Sequence, residues 1–266
     1  MKFKIIFILF NIVVVFSFLI VTMMPFVMLG AEYSRVFFKD SWYFFLVFVL
    51  TIGSIDAYFF INWKLFTLLE SEDWDGLISY LENRIYNKKN LYGYLIRILA
   101  NTYLIKSNID GISKLEELIR REKPGLLKKM VLSLCVPRLI DGNAEKMEEF
   151  FGEFVEVKGV HKADWVRFLY SFSLLLNNKR KEASSSLLAL CKRKVSPILQ
   201  LLVIYALDPF AAMGEDFSCV EVRKKELLSK YSRLKMELEL EQVNDNVVAL
   251  VLNKFSKEAI HWLYKE

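Results

Sequence analysis

Histidine is nearly missing from this sequence: among 266 residues only His161 and His261 occur, far apart along the chain. Cysteine is almost as scarce, and Cys135, Cys191 and Cys219 share no metal-ligand spacing. With 10 glycines and 5 prolines, the chain has no glycine-rich phosphate loop. It also lacks a nucleophile elbow and a His-Glu-x-x-His pair. Neither histidine has acids or thiols at useful local spacing, so no catalytic residue, metal ligand or cofactor site is predicted and the chain reads as a non-enzyme. Each cysteine has apolar neighbours, which fits small buried hydrophobes in a reducing compartment. No stretch alternates apolar and polar residues as a half-buried strand does, so β-structure is not expected. A strong single-sign charge is missing too. The net charge is +5, with signs interspersed, which argues against a nucleic-acid binder.

What is abundant is apolar residue. Hydrophobic residues make up 54% of the chain and mean hydropathy is +0.28, concentrated in the first 61 positions. The organising stretch is Trp42 to Ile61, twenty residues of mostly Phe, Val, Leu and Ile. Upstream lies a second apolar run, Phe3 to Leu29. Each is long enough to cross a hydrocarbon core of about 30 Å. Residues 1–64 are therefore predicted to form a transmembrane hairpin, with spans at about 3–29 and 42–61 and a connector from Gly30 to Ser41. Trp42 and Tyr43 would open the second span at the interface, and Trp63 with Lys64 would close it. A cleaved signal peptide is the alternative for the first run, with Leu29-Gly30-Ala31 as its cleavage site. Lys2 and Lys4 favour an amino end inside, and both routes put the downstream domain in the cytoplasm. The bias to Lys, Ile, Phe and Asn fits an AT-rich bacterial gene, so the predicted location is a bacterial inner membrane. Asp56 is the one acid within either span, and an intramembrane carboxylate is a functional candidate by default. Asn11 lies at similar depth, and an Asn11–Asp56 hydrogen bond is expected to hold the hairpin.

Beyond residue 64 the apolar residues recur at helical spacing. Helices are expected over 72–86, 91–105, 112–121, 126–140 with an interruption near Pro137, 144–157, 164–176, 181–192 and 197–207. An irregular stretch follows from Asp208 to Asp216, then helices over about 220–242 and 246–264. The fold class is all-α, with antiparallel helical hairpins on short loops. The turns Asn108–Gly111, Asp141–Asn143 and Asn177–Lys179 recur at intervals of about 35 residues, the period of a solenoid of helix pairs. Residues 65–207 are predicted to form the repeats and residues 208–266 a helical pair capping them.

One copy carries Ile96, Leu99, Ala100, Tyr103, a turn at Ser107-Asn108, then Ile119 and Pro124. A later copy carries Ser171, Leu174, Asn178, Ala183, Leu187 and Leu190; the middle one keeps Ala144. This pattern resembles the tetratricopeptide repeats over roughly 91–197, with Ile112 and Leu132 large where that family has small residues. The resemblance implies a protein-binding scaffold whose first helices line a concave groove. On that face it places Tyr94, Arg97 and Asn101, then Lys129 and Ser133, then Trp165, Phe168 and Phe172, aromatic anchors beside polar clamps.

The chain therefore reads as a membrane-anchored adaptor that binds a partner protein, with membrane lipid around its two spans. No nucleic acid or small-molecule substrate is expected. The alternatives are an accessory subunit of a transporter or channel acting through Asp56, and a membrane-bound enzyme. The basic runs Lys179-Arg180-Lys181, Lys192-Arg193-Lys194 and Arg223-Lys224-Lys225 read as solvated surface, or as a contact with anionic lipid.

Overall fold

The computed structural model describes residues 2–213, 218–243 and 252–264, and these are helical throughout apart from turns. Contacts divide the chain into two compact units, Met1–Lys88 and Lys89–Glu266.

The first unit opens with α1, Lys2–Ile61, which is helical on both sides of a break at Gly30. Gly30 has φ of 77°, a left-handed value that glycine adopts without steric cost. Ser34 Oγ donates to its carbonyl at 2.7 Å. The two limbs then run antiparallel. Phe7 meets Phe59 with ring centroids 4.8 Å apart, Phe18 stacks on Phe48 at 3.9 Å, and Phe26 meets Phe38 at 5.2 Å. Shielded residues on the second limb fall at Ser34, Phe38, Ser41, Phe45, Phe48 and Ile52. These steps of four and three are the seam of a coiled-coil pair. Almost every other side chain points outward, as with Ile5 at 64% exposed and Val27 at 83%. Two stretches, Lys4–Met28 and Ser34–Ile61, are long and apolar enough to cross a membrane.

Two expectations change here. The Gly30–Ser41 connector is not a loop: the chain reverses at Gly30, and the second limb is already helical from there to Trp42. The Asn11–Asp56 hydrogen bond does not form. Asn11 Nδ2 donates back to Phe7 O at 3.1 Å, and Asp56 Oδ1 is buried without a hydrogen-bond partner. Thr51 and Ser54, like Asn11, return to carbonyls of their own helix, which lowers their cost in an apolar helix, whereas Thr22 Oγ1 is buried without a partner.

After α1 come α2 (Trp63–Glu70) and α3 (Trp74–Glu82), the latter continued by a π-turn over Asn83–Asn87. The second unit contains α4 (Gly93–Ile105), α5 (Ile109–Glu122), α6 (Leu127–Leu134), α7 (Val136–Asp141), α8 (Ala144–Val155), α9 (Ala163–Leu176), α10 (Arg180–Cys191) and α11 (Pro197–Leu207). The α6/α7 break falls at Cys135, near Pro137 as predicted: Pro137 stands in the first turn of α7 and offers no N–H to continue the ladder. A 3-10 segment, Asp208–Met213, occupies the described part of the expected irregular stretch. The expected helix over 220–242 is two helices, α12 (Ser218–Lys230) and α13 (Arg233–Val243). The last helix is α14, Asn253–Leu263; the expected start at 246 lies outside the described residues.

One local device joins these helices into pairs. Glu72, Ser107, Gly142 and Asn178 all have positive φ, between 53° and 66°, at a regular interval of about 35 residues. Each ends one helix just before the next begins. In three of the four turns a main-chain N–H reaches back five residues: Asp73 to Leu68 O, Asn108 to Tyr103 O and Lys179 to Leu174 O, at 2.7–3.1 Å. That is the helix-terminating bond of a left-handed cap. Asp73, Asn108 and Asn143 then cap the following helix by accepting from the N–H of Gly76, Gly111 and Lys146, at 2.9–3.0 Å.

Packing follows the pairs. Helices α8, α9 and α10 pack in chain order, α4 packs on α5 and α6, and α11 packs on α10, α12 and α14. Eight of the eleven residues of α11 are buried hydrophobics, so it forms the centre of the core. Between pairs, the Glu116 carboxylate (side chain 5% exposed) takes two bonds from Arg138, at 2.6 and 3.0 Å, and one from Arg120 at 2.9 Å. Arg138 also lies 4.1 Å over the Phe150 ring, and Arg120 reaches Glu153 at 2.8 Å. This network ties α5 to α7 and α8. Burial acts to lower the Arg120 pKa, but its bonds to Glu153 and Glu116 outweigh it and raise the value overall.

Two stability predictions follow from these contacts. A Cβ at Gly111 would lie 2.8 Å from the buried Tyr103 ring, so Gly111→Ala should destabilise the full chain in detergent by ~1–2 kcal/mol, through overpacking that exceeds the helix-propensity gain. Gly152→Ala, whose Cβ would meet Tyr170 at an ordinary 3.6 Å, should instead gain up to ~1 kcal/mol; thermal unfolding of both variants checks the pair. Arg138→Met should cost about 2 kcal/mol in the same assay, below the full range for a broken buried pair because Arg138 is partly exposed; an unchanged transition would remove the network from the stability account.

Candidate functional site

The surface expected to bind a partner lies on the first helices of the pairs, α4, α6 and α9. On α4 the buried side is Leu95, Ile96, Leu99, Ala100 and Tyr103. The opposite stripe, Tyr94, Arg97 and Asn101, is exposed. Tyr94 stacks on Tyr92 with centroids 6.0 Å apart, so two aromatic faces stand together at the start of the helix. Lys129 is exposed and Ser133 half-buried on α6, one turn apart. Helices α4 and α6 are direct neighbours. Their approach is close: a Cβ on Gly93 would come within 3.3 Å of Leu126 Cδ1. The five residues on these two helices thus share adjacent helices of one unit and remain accessible.

The α9 residues are placed differently. Phe168 is fully buried, between Trp165 and Phe172 with centroids 6.3 Å from each. Phe172 packs on Phe255 of α14 at 5.5 Å, and Phe255 in turn packs on Tyr205 at 5.0 Å. Tyr205 also meets Trp262 at 5.5 Å. Trp262 donates from Nε1 to Asp208 Oδ2 at 3.1 Å, with Lys224 Nζ 4.6 Å above its ring. Tyr264 donates its hydroxyl to Tyr231 O at 2.7 Å. The chain's own last helix therefore occupies this end of the first-helix side. Phe168 and Phe172 serve that packing, whereas Tyr94, Arg97, Asn101 and Lys129 on α4 and α6 are exposed. Sequence reasoning missed the cover. Its signal is the Phe255–Trp262 spacing on α14, seven residues that put both rings on one helix face.

Asn11 and Asp56, the polar candidates of α1, belong to the first unit. His161 and His261 are exposed on separate elements. Among the described residues no group of three or more His, Cys, Asp and Glu is arranged to hold a metal ion. Burial pushes the Cys135 thiol up to about 12, which leaves it protonated and unreactive.

A second concavity, of about 530 Å³, lies beside α8 and α9 and is lined by Glu145, Glu148, Glu149, Tyr170, Asn177 and Lys179 among others. Its main polar groups are already paired. Glu148 accepts from Lys179 Nζ and from Asn177 Nδ2, each at 2.6 Å. The bond from Lys179 holds the Glu148 carboxyl below its usual range, burial opposes this, and Asn177 adds to the lowering. The same pair raises the Lys179 ammonium. Its role is to fasten the α9/α10 turn to α8.

The helices that build these surfaces have relatives. Residues 111–265, from α5 to the end of α14, match a protein family described as an uncharacterised Treponema protein. A protein of Treponema pallidum (strain Nichols), also described as uncharacterized, is 24% identical over 165 residues, covering 62% of this chain and 52% of the relative. The chain thus spans about half the length of the curated relative it matches. No solved structure matches it.

The Glu148–Lys179 pair makes a pH-dependent prediction. Because the folded-state pKa of Glu148 is depressed, its contribution is present above the unfolded carboxyl value and lost as pH falls through the folded one. Lys179→Met should lower the thermal midpoint modestly at neutral pH, and the gap to wild type should close as pH falls below about 4. A gap that persists at low pH would assign the effect to packing rather than charge.

Proposed function

This chain belongs to that Treponema protein family, and from this premise we propose that it is a membrane-held, non-enzymatic adaptor whose helical-repeat domain binds another polypeptide. The observation that carries the reading is the outer surface of α1. Its two limbs have mean hydropathies of 3.0 and 2.1 over their most apolar stretches, and their Ile, Val, Phe and Met side chains point away from the protein. A helix of 25 residues is about 37 Å long, more than the roughly 30 Å of hydrocarbon it would cross. Outward apolar side chains with no protein cover are stable in lipid and costly in water.

The antiparallel limbs pair Trp42 with the region of Met23, so residues from there to the Gly30 apex extend about one to two turns past the core into the headgroups. Glu32, Arg35, Lys39 and Asp40 all fall in that tip. At the open end Lys4 Nζ lies 5.2 Å over the Trp63 ring, a basic–aromatic pair suited to the interface. Lys2 and Lys4 favour that end on the cytoplasmic side, which supports a cytoplasmic location for the repeats in this reading. In this reading residues 1–64 anchor the chain, 65–207 form repeats similar to tetratricopeptide repeats, and 208–266 cap them. Four turns that share a left-handed residue, at Glu72, Ser107, Gly142 and Asn178, support the repeat assignment. Tyr94, Arg97, Asn101, Lys129 and Ser133 supply the accessible portion of the partner surface.

A second reading rests on Asp56. Its Oδ1 is buried in α1 without a hydrogen bond, an arrangement expected of a carboxylate that answers to a partner span in a transporter or channel. Replacing both limbs by an unrelated hairpin separates the two readings: an adaptor keeps its partner and its cellular role, whereas a transport subunit loses its role.

The leading reading is tested in two steps. The full chain should stay with membranes through an alkaline carbonate wash. Tyr94→Ala combined with Arg97→Glu and Lys129→Glu should then reduce co-purified partner about tenfold or more while membrane abundance is unchanged. Release by carbonate, or partner recovery indifferent to all three substitutions, would sink it.

A further inference from the structure

Outside the surface described above, the two remaining cysteines meet across helices. Cys191 is the last residue of α10 and is buried; Cys219 lies in the first turn of α12 and is partly exposed. Arg223 sits one helical turn after Cys219, on the same face of α12. Its Nε donates to the Cys191 carbonyl at 3.1 Å, and its Nη2 donates to the carbonyls of Lys192 and Arg193 at 3.4 Å. Glu226 fixes the same guanidinium at 2.7 Å from Nη1. Arg223 therefore caps the open carbonyl end of α10 from a neighbouring helix. Cys219, one turn back from it, falls opposite Cys191.

We propose that Cys191 and Cys219 form a reversible disulfide that staples α12 to the end of α10. Helix α12 packs against α10, and the Arg223 bond to the Cys191 carbonyl brings the turn that holds Cys219 against the end of α10. Burial, and then the neighbouring Cys219 thiol, push the Cys191 thiol up to about 12, so Cys219, the more exposed partner, reacts first. The oxidant is a small-molecule disulfide. The Cys219 thiolate attacks one of its sulfurs, forming a mixed disulfide and releasing one small thiol. Cys191 then loses its proton and attacks the Cys219 sulfur, forming the Cys191–Cys219 bond and releasing the second small thiol. Two protein thiols are oxidised and one small disulfide is reduced to two thiols, so protons and electrons balance. Closure through Cys191 is the slow step, because little of it is thiolate at neutral pH. Cys135, buried on α6/α7 without a thiol neighbour among the described residues, stays reduced.

The consequence is mechanical. Helix α12 is held to α10 by the Arg223 cap, whose bonds break and remake; the disulfide makes that join covalent. A domain in a reducing cytoplasm keeps it open, and oxidative stress closes it.

The experiment uses the full chain in detergent micelles, incubated with oxidised glutathione near neutral pH, quenched by alkylation, and digested without reduction for mass spectrometry. A Cys191–Cys219 crosslinked peptide should accumulate, Cys135 should be recovered alkylated, and the thermal midpoint should rise by several degrees, returning on reduction. Cys219→Ser should abolish both the crosslink and the shift. Arg223→Gln, which removes the cap but keeps both thiols, should leave the crosslink able to form and enlarge its stabilising effect. The proposal is overturned if the crosslink appears only after denaturation, or if Cys135 oxidises as fast as the pair. A crosslink that leaves the thermal midpoint unmoved also overturns the staple.

Discussion

Everything beyond α1 depends on how one helix ends and the next begins. At Glu72, Ser107, Gly142 and Asn178 the backbone enters the left-handed region, which costs an ordinary residue on the order of 1 kcal/mol. The turn recovers that cost locally. A main-chain N–H five residues on closes the finished helix, and a side-chain oxygen at Asp73, Asn108 or Asn143 satisfies the first free N–H of the new one. Pairing is decided within about ten residues, and the long-range contacts between pairs are built on it.

Between pairs the chain uses a different solution. Apolar surface alone would let neighbouring helices slide, because leucine-rich ridges have several near-equivalent registers. The Glu116 carboxylate removes that freedom. It is nearly buried, and Arg138 grips it with two bonds while stacking on Phe150. A paired internal charge adds little net stability. It does penalise every register in which the carboxylate is left without its arginines. Glu148, held by Lys179 and Asn177, has a milder form of the same role in the next pair along the chain.

The helical class and the recurring turn were legible because both live in short sequence windows. Asn108-Ile-Asp-Gly111 and Asp141-Gly-Asn143 carry their own turn chemistry, and apolar spacing fixes each helix near them. Pro137 located the α6/α7 break. Three features were not legible. Glu32, Arg35, Lys39 and Asp40 made residues 30–41 look like a loop, yet a helix with one mostly apolar side tolerates them, and Gly30 alone reverses the chain. Phe172 was read as groove-lining because its cover, Phe255, is far away in sequence. The approach of Cys191 to Cys219 depends on how α12 returns to α10, and local spacing carries no trace of it.

The single-residue reversal at Gly30 also limits how this hairpin can drift in evolution. Each added or deleted residue turns the rest of a limb by about 100°, which would carry Phe18 or Phe48 out of the seam and an outward valine into it. With no slack at the apex to absorb the change, one limb cannot lengthen alone. Homologues should therefore alter α1 only by matched heptads in both limbs, so that the hairpin keeps a quantised length while the surface loops of the chain diverge.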